Sequence, residues 1–438
     1  MILLVSLALA RPTSGGSYAF DDTDTVTSVD GPAGTARVWY STEGNNQVLQ
    51  GDADKNGVPD FAELVAETTE DVLAFYEEEG FRTIPDDGTA GGSAAMDVYL
   101  VDFHGDADGH YSTESCEGDV CSGYFVMEND FSGYGYSSDE EAVRVLTSHE
   151  LFHGIQGAYD YDEEIWYQEG TAVWAERLYD PDSRDFLDFC SAYLEDTGRS
   201  LSEPPAGPVP TFAYATALWW WFVTERYGEA WMADYMEGTT ESDDLLAVLD
   251  ERVDLAMDWV DFASWNLATG HLAGVEDSYE FAEDLVAPKL EDRDDFLDDD
   301  QRFYPLATTY YLLEHPGGPL QFGLEADAPD LVFRLYATNA DGQLDGLVAE
   351  PASTMGIQEL GDFDAGDYYF FGTNPTLAED STKVRFCLGA DVSECVPEVE
   401  DTGGTPEPDK PTSCGCGGPS APTWLAVAAL GLLRRRVR

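Results

Sequence analysis

From about residue 300 to 395, short apolar runs (TTYYLLE, PLQFGLEA, LVFRLYAT, DYYFFGT and KVRFCLG) alternate with stretches rich in Gly, Pro, Asn and Asp. Runs of that length bounded by turn residues predict strands, and several of them in one segment predict a β-sandwich over 300–395. Between about 138 and 270 the pattern changes to that of helices. Ser138 and Glu141 form a capping-box pair ahead of EAVRVLTSHELFHGI. Further helices are predicted over 165–179, 183–195, 211–227 and 242–253. Upstream, MDVYLVDF (96–103) and SGYFVMEND (122–130) predict strands, ARVWYSTEG predicts another, and a helix is expected from Phe61 to about Glu79. Strands, then helices, then strands again give an α+β fold class, and no internal repeat is present.

The two ends of the chain change the picture from a plain globular protein to an exported one. Residues 1–10, MILLVSLALA, are apolar and finish on Ala8-Leu9-Ala10, an A-x-A pattern of the kind cut from a signal peptide. At the other end, 396–413 is acidic and rich in Pro and Gly, a linker composition. The segment 414–438 joins Cys414 and Cys416 to an apolar stretch and a terminal Arg cluster. That stretch is short for a membrane span, and the Arg cluster marks its cytoplasmic side. The tail resembles the MYXO-CTERM sorting signal of myxobacterial surface proteins. The resemblance implies processing near Cys414 or Cys416 and attachment at the bacterial cell surface, with membrane contact only through this tail.

Charge and cysteines agree with export. The 87 acidic residues against 21 basic ones give a formal net charge of −66, which repels nucleic acid and anionic membranes. An exported chain keeps disulfides. Cys116 and Cys121 are close enough in sequence to staple one loop, Cys387 and Cys395 another, which leaves Cys190 alone.

The candidate chemistry lies in TSHELFHGIQG (147–157). On a helix His149 and His153 share a face one turn apart, so both imidazoles can reach one zinc ion, and Glu150 can reach a water on that ion without ligating it. A catalytic zinc needs a third protein ligand. Gln156 and Tyr159 occupy the Gly and His positions of the metzincin pattern, which excludes that class. In WYQEGTAVWAE (166–176), Glu169 follows on a second helix, with Glu163 and Glu164 as rivals from the loop between. Glu176, two helical turns beyond Glu169, is too far to share the ion and is read as an acceptor for a ligating His.

These residues resemble the aminopeptidase N and thermolysin clan, in which H-E-x-x-H is followed by a helix reading W-x-N-E-G-x-A-x-x-x-E. Trp166, Glu169, Gly170, Ala172 and Glu176 match it, Gln168 replaces the Asn, and Val173 stands where thermolysin-like proteins carry an orienting Asp. The overall layout is similar to the uncharacterised zinc metallopeptidases of myxobacterial surface proteomes. The resemblance implies a zincin-like metallopeptidase domain of gluzincin type, with Glu169 as ligand, Glu150 as general base and a Tyr opening a later helix as oxyanion donor. In FAYATALWWWFVTERYG (212–228) that Tyr is Tyr214. It also implies an extended peptide bound along a strand, which makes Tyr124, Val126 and Glu128 of SGYFVMEND candidate substrate-lining residues. Met127-Glu128-Asn129 is similar to the amine-capturing G-x-M-E-N motif, with Phe125 in place of its Gly.

A second metal is expected near the N-terminus. GDADKNGVPDFAE places Asp52, Asp54, Asn56, Val58 (through its carbonyl), Asp60 and Glu63 in the register of an EF-hand calcium loop, with Gly57 at the sharp turn. Taken together, a secreted, surface-anchored zinc peptidase acting on protein or peptide substrates is expected, with a catalytic domain over 17–295. The competing class is a calcium-stabilised surface binding or adhesion protein whose zinc site is structural or inactive.

Overall fold

A computed structural model describes residues 11–15, 18–206, 210–274, 278–377 and 380–396. The expected signal peptide and sorting tail, and all but Val396 of the linker, lie outside the described residues. Within them the protein is a mixed α+β structure with three sheets, and the described residues form one compact unit.

The first sheet contains β1 (Val26–Asp30) and β2 (Ala36–Ser41), from which α1 (Asp60–Glu78) crosses over to β3 (Met96–Val101). The hairpin of β4 (Gly109–Glu117) and β5 (Val120–Glu128) completes it, in the order β1-β2-β3-β5-β4. β2, β3 and β5 run parallel, whereas β4 is antiparallel to β5 and forms the edge. Side chains alternate between the faces. Val98, Leu100, Phe125 and Met127 pack with Val65 and Ala66 of α1, while Tyr99, Val101, Tyr124 and Val126 form a separate cluster on the opposite face, against Tyr18 and Phe20. The expected disulfide Cys116–Cys121 closes the β4–β5 hairpin.

Next comes α2 (Asp139–Gly157), which packs on the same face as α1. Ser138 caps it as expected, accepting from the Glu141 N–H at 3.1 Å. The Glu141 carboxylate, however, accepts from the Ser137 N–H at 2.7 Å, one residue ahead of the usual box. α3 (Ile165–Tyr179) and α4 (Asp185–Leu194) follow. The helix predicted over 211–227 is two, α5 (Thr211–Ala215) and α6 (Ala217–Tyr227), parted at Thr216, whose hydroxyl lies 2.6 Å from the Trp166 carbonyl. Then come α7 (Trp231–Thr239), α8 (Leu245–Asp250) and α9 (Leu255–Leu267). Their core is aromatic, with Trp166, Trp174, Trp219, Trp220 and Trp259 fully buried. Cys190 is a free thiol buried among them.

The C-terminal strands are β6 (Leu290–Asp294), β7 (Leu297–Phe303), β8 (Ala307–His315), β9 (Gly318–Leu324), β10 (Val332–Thr338), β11 (Leu344–Ala349), β12 (Gly356–Phe363), β13 (Gly366–Asn374) and β14 (Thr382–Gly389). They form two sheets, β11-β10-β13-β8-β6 and β12-β9-β14-β7. Phe322, Phe333, Phe370 and Phe386 join both sheets in one core. The other face of the β11-β10-β13-β8-β6 sheet packs on α9, where the Tyr310 hydroxyl donates to the Ala263 carbonyl at 2.8 Å. Cys387 and Cys395 form the second expected disulfide.

Candidate metal centre

Four residues apart on α2, His149 and His153 turn their rings to the same side, 4.9 Å between centres. α3 crosses that side and brings Glu169, whose Oε2 lies 3.4 Å from His149 Nε2 and 3.6 Å from His153 Nε2. These separations exceed a normal hydrogen bond, and Glu169 Oε2 is buried without a hydrogen-bond partner among the described residues. Ligand atoms 2.0–2.2 Å from one tetrahedral zinc stand about 3.3–3.6 Å apart. Both distances to Glu169 therefore have the spacing of neighbouring ligands, the three ligand atoms lie within 4.8 Å of one another, and the orphaned carboxylate oxygen is what a cation there would satisfy. Among the described residues one other group of three potential ligands converges, Asp298 with Cys387 and Cys395, and its sulfurs are already joined in a disulfide.

Both rings present Nε2 to the gap because each Nδ1 is engaged behind. His149 Nδ1 lies 2.7 Å from Oε1 of buried Glu176, and His153 Nδ1 lies 2.9 Å from Gln156 Oε1. The Gln156 amide also donates to the Gln168 carbonyl and to Thr171 Oγ1, both at 2.7 Å, which locks α2 to α3 beside Glu169. In the sequence Gln156 counts only as a departure from the metzincin pattern, although its position three residues beyond His153 puts it on the same helix face as that ring.

Electrostatics follow from this crowding. Burial pulls both imidazoles down, but Glu169, joined by Glu176 at His149, outweighs it and holds both above the usual His range. Burial likewise pushes Glu169 up, and the two imidazoles overcome it and hold the carboxyl below the usual carboxylate range. Glu176 rises to about 8, because burial outweighs its bond to His149. Asp185, at the start of α4, rises to about 6, also through burial. Burial raises Glu150 as well, against the pull of His153 and His149. If zinc fills the gap, replacing Glu176 with Gln should weaken its binding about 10–100-fold by exchanging the carboxyl acceptor behind His149 for an amide, measured by competition with a chromogenic chelator.

A cleft of about 420 Å³ opens over this centre, lined by Glu150, Tyr214, Tyr161 and Gln168 together with His110, Tyr111 and Thr113 of β4. Tyr214, on α5, stacks on the His149 ring at 5.8 Å and on Phe189 at 4.9 Å. Its hydroxyl is held above the usual phenol range by burial and then by Glu169 and Glu150. Tyr124, Val126 and Glu128 do not line the cleft, which corrects the sequence expectation. β5 is an interior strand, its Tyr124 and Val126 face away from α2, and β4 supplies the rim. The Glu128 carboxylate is instead used within the fold, accepting from the Phe103 N–H and the Tyr134 hydroxyl at 2.9 and 2.7 Å.

The rival ligands Glu163 and Glu164 stay outside the converging group. Burial, helped by Asp160, pushes Glu163 from an ordinary 4.5 to about 8. Between those values the folded chain holds a proton that the unfolded chain has lost, so Glu163 makes stability fall as pH rises through this window. Glu163→Gln should remove that slope and raise stability at pH 8 by about 1 kcal/mol, less than the full shift would give because water reaches the group. Urea midpoints of both proteins should converge near pH 4.5.

The 52–63 loop is partly assembled. Gly57 takes φ 92°, and Asp52 accepts from the Asn56 and Gly57 N–H groups at 3.2 and 3.1 Å. The Asn56 amide bridges Asp54 and Glu63, and Asp60 turns to the Ala53 N–H. Its carboxylates do not converge on one point as His149, His153 and Glu169 do.

No protein-family model and no curated protein matches the chain. Among solved structures, the crystal structure of Aeromonas hydrophila PliG, a periplasmic lysozyme inhibitor of g-type lysozyme, aligns at 15% identity. It covers 21% of this chain and 80% of that one with a TM-score of 0.15, which carries no argument about fold or function. Among the described residues no helix is long and apolar enough to cross a membrane.

Proposed function

We propose that the protein is a zinc-dependent peptidase of gluzincin type, exported and held at the cell surface, with a zincin-like catalytic region and the two C-terminal sheets packed as a β-sandwich. The observation that carries the reading is the unpartnered Glu169 Oε2 set 3.4 and 3.6 Å from two imidazole nitrogens. His149, His153 and Glu169 would hold the ion, and Glu176 and Gln156 orient the rings. Bound zinc supplies Lewis acidity toward a carbonyl and an acidified water. Glu150 takes the proton of the attacking water as the new C–O bond forms, and delivers it to the amine nitrogen as the C–N bond breaks. The Tyr214 hydroxyl donates to the oxyanion, and the free edge of β4 pairs with the substrate backbone. Calcium belongs to the same reading, as a brace for the 52–63 loop.

Protein produced in an oxidising compartment should carry about one zinc per chain and cleave an unfolded protein. A chelator should abolish cleavage, and added zinc should restore it. A chain that binds zinc but hydrolyses neither unfolded proteins nor peptides would support the binding-protein alternative instead.

A further inference from the structure

One cation ties together the outer face of the N-terminal sheet. Arg11 is 7% exposed, and its guanidinium meets three carboxylates. Nε and Nη2 donate to Glu114 at 3.0 and 2.6 Å, while Nη1 pairs with Asp97 and Nη2 with Asp87. The Tyr99 hydroxyl lies 3.1 Å from Nη1, the Tyr124 ring 5.2 Å from the guanidinium carbon, and the Trp39 indole N–H donates to Asp97 at 2.8 Å. Gly91 closes over the pair at φ 70°, where a Cβ would collide with the Asp97 carboxylate and the guanidinium. Glu114 belongs to β4, the rim of the cleft, and Asp97 to β3, two strands inward. The guanidinium therefore reaches across β5 to hold the rim to the sheet interior.

Arg11 is also the residue that follows Ala8-Leu9-Ala10. Hydrolysis of the Ala10–Arg11 bond adds one water, leaving a carboxyl on Ala10 and an amine on Arg11, which then begins the chain. Before that cut no spacer separates the apolar leader from the buried guanidinium, and one residue reaches only about 3.5 Å. A leader lodged in a bilayer could leave Arg11 seated only by pressing the sheet against the membrane. A chain of net charge −66 opposes this near anionic lipid.

We propose that Arg11 is the first residue of the mature protein and the positioning residue for β4, so that the cleft rim takes its final place only after the leader is removed. The effect on β4 is independent of the chemistry at the metal centre; the effect on catalysis rests on the peptidase reading.

N-terminal sequencing of the exported protein should return Arg11, and any other first residue overturns the proposal. Amide hydrogen exchange over 109–117 reads the rim directly. Arg11→Gln and Glu114→Gln should each speed exchange there about tenfold or more, and Arg11→Lys should recover part of the protection. If Arg11→Gln does not fold, the partly exposed Glu114 still carries the test. An uncut Ala8→Leu/Ala10→Leu precursor in detergent should exchange over β4 like Arg11→Gln while α2 stays protected. Unchanged exchange in Glu114→Gln, or a fully protected β4 in the precursor, overturns the proposal. A rise of about tenfold in peptide KM with unchanged zinc content would tie the rim to catalysis. If the exchange pattern holds in a protein that cleaves nothing, the peptidase reading fails alone.

Discussion

Glu150→Gln is expected to bind zinc as the wild type does and to lose about 10²–10⁴-fold in kcat/KM. Glu150 lies outside the converging group of His149, His153 and Glu169, so the metal is retained. The amide keeps the size of the side chain and cannot accept a proton. Burial already works against the charged carboxylate at this position, with the two imidazoles as its counterweight, so the neutral replacement should fold. The comparison requires zinc content and cleavage rate from the same preparation. Cleavage at the wild-type rate in a zinc-replete Glu150→Gln protein would remove Glu150 from the mechanism.

Glu169→Ala should cost more metal affinity than any other single change on α3. It removes the carboxylate member of the converging group, whereas Glu176→Gln alters a partner on the far side of the His149 ring, so the loss should exceed the 10–100-fold expected there. Zinc content after dialysis against a weak chelator should drop well below stoichiometric, and cleavage should fall with it. Glu163→Ala and Glu164→Ala, treated the same way, should remain loaded. Full zinc retention in Glu169→Ala would mean that the gap between the imidazoles is filled from elsewhere.

Much of the centre was legible because its geometry is local. The spacing of His149 and His153, and of Glu169 and Glu176, follows from helical repeat alone, and the turn between α2 and α3 is short. What escaped was set by tertiary order. Nothing in SGYFVMEND says that another strand lies outside it, so the sequence points to Tyr124, Val126 and Glu128 as lining residues, whereas β4 lies outside β5 and lines the cleft. β6 and β7, LEDRD and LDDDQRF, are too acidic to read as strands, since only Leu297 and Phe303 of β7 are buried. The break at Thr216 depends on a carbonyl fifty residues away, at Trp166, which no local pattern reports. Arg11 gave no sign of burial, because its three partners are spread from Asp87 to Glu114.

The β4–β5 hairpin is closed by Cys116–Cys121, and β4 is tied inward through Glu114, so the stretch that faces the cleft, Gly109 to Thr113, hangs from two anchors on one side. A polypeptide pairing along that stretch would meet a track already laid out, and nearly all the conformational freedom lost on docking would be the visitor's own. Discrimination among partners should then depend on how extended and pliable they are, with unravelled chains and loose termini admitted far more readily than compact folded domains.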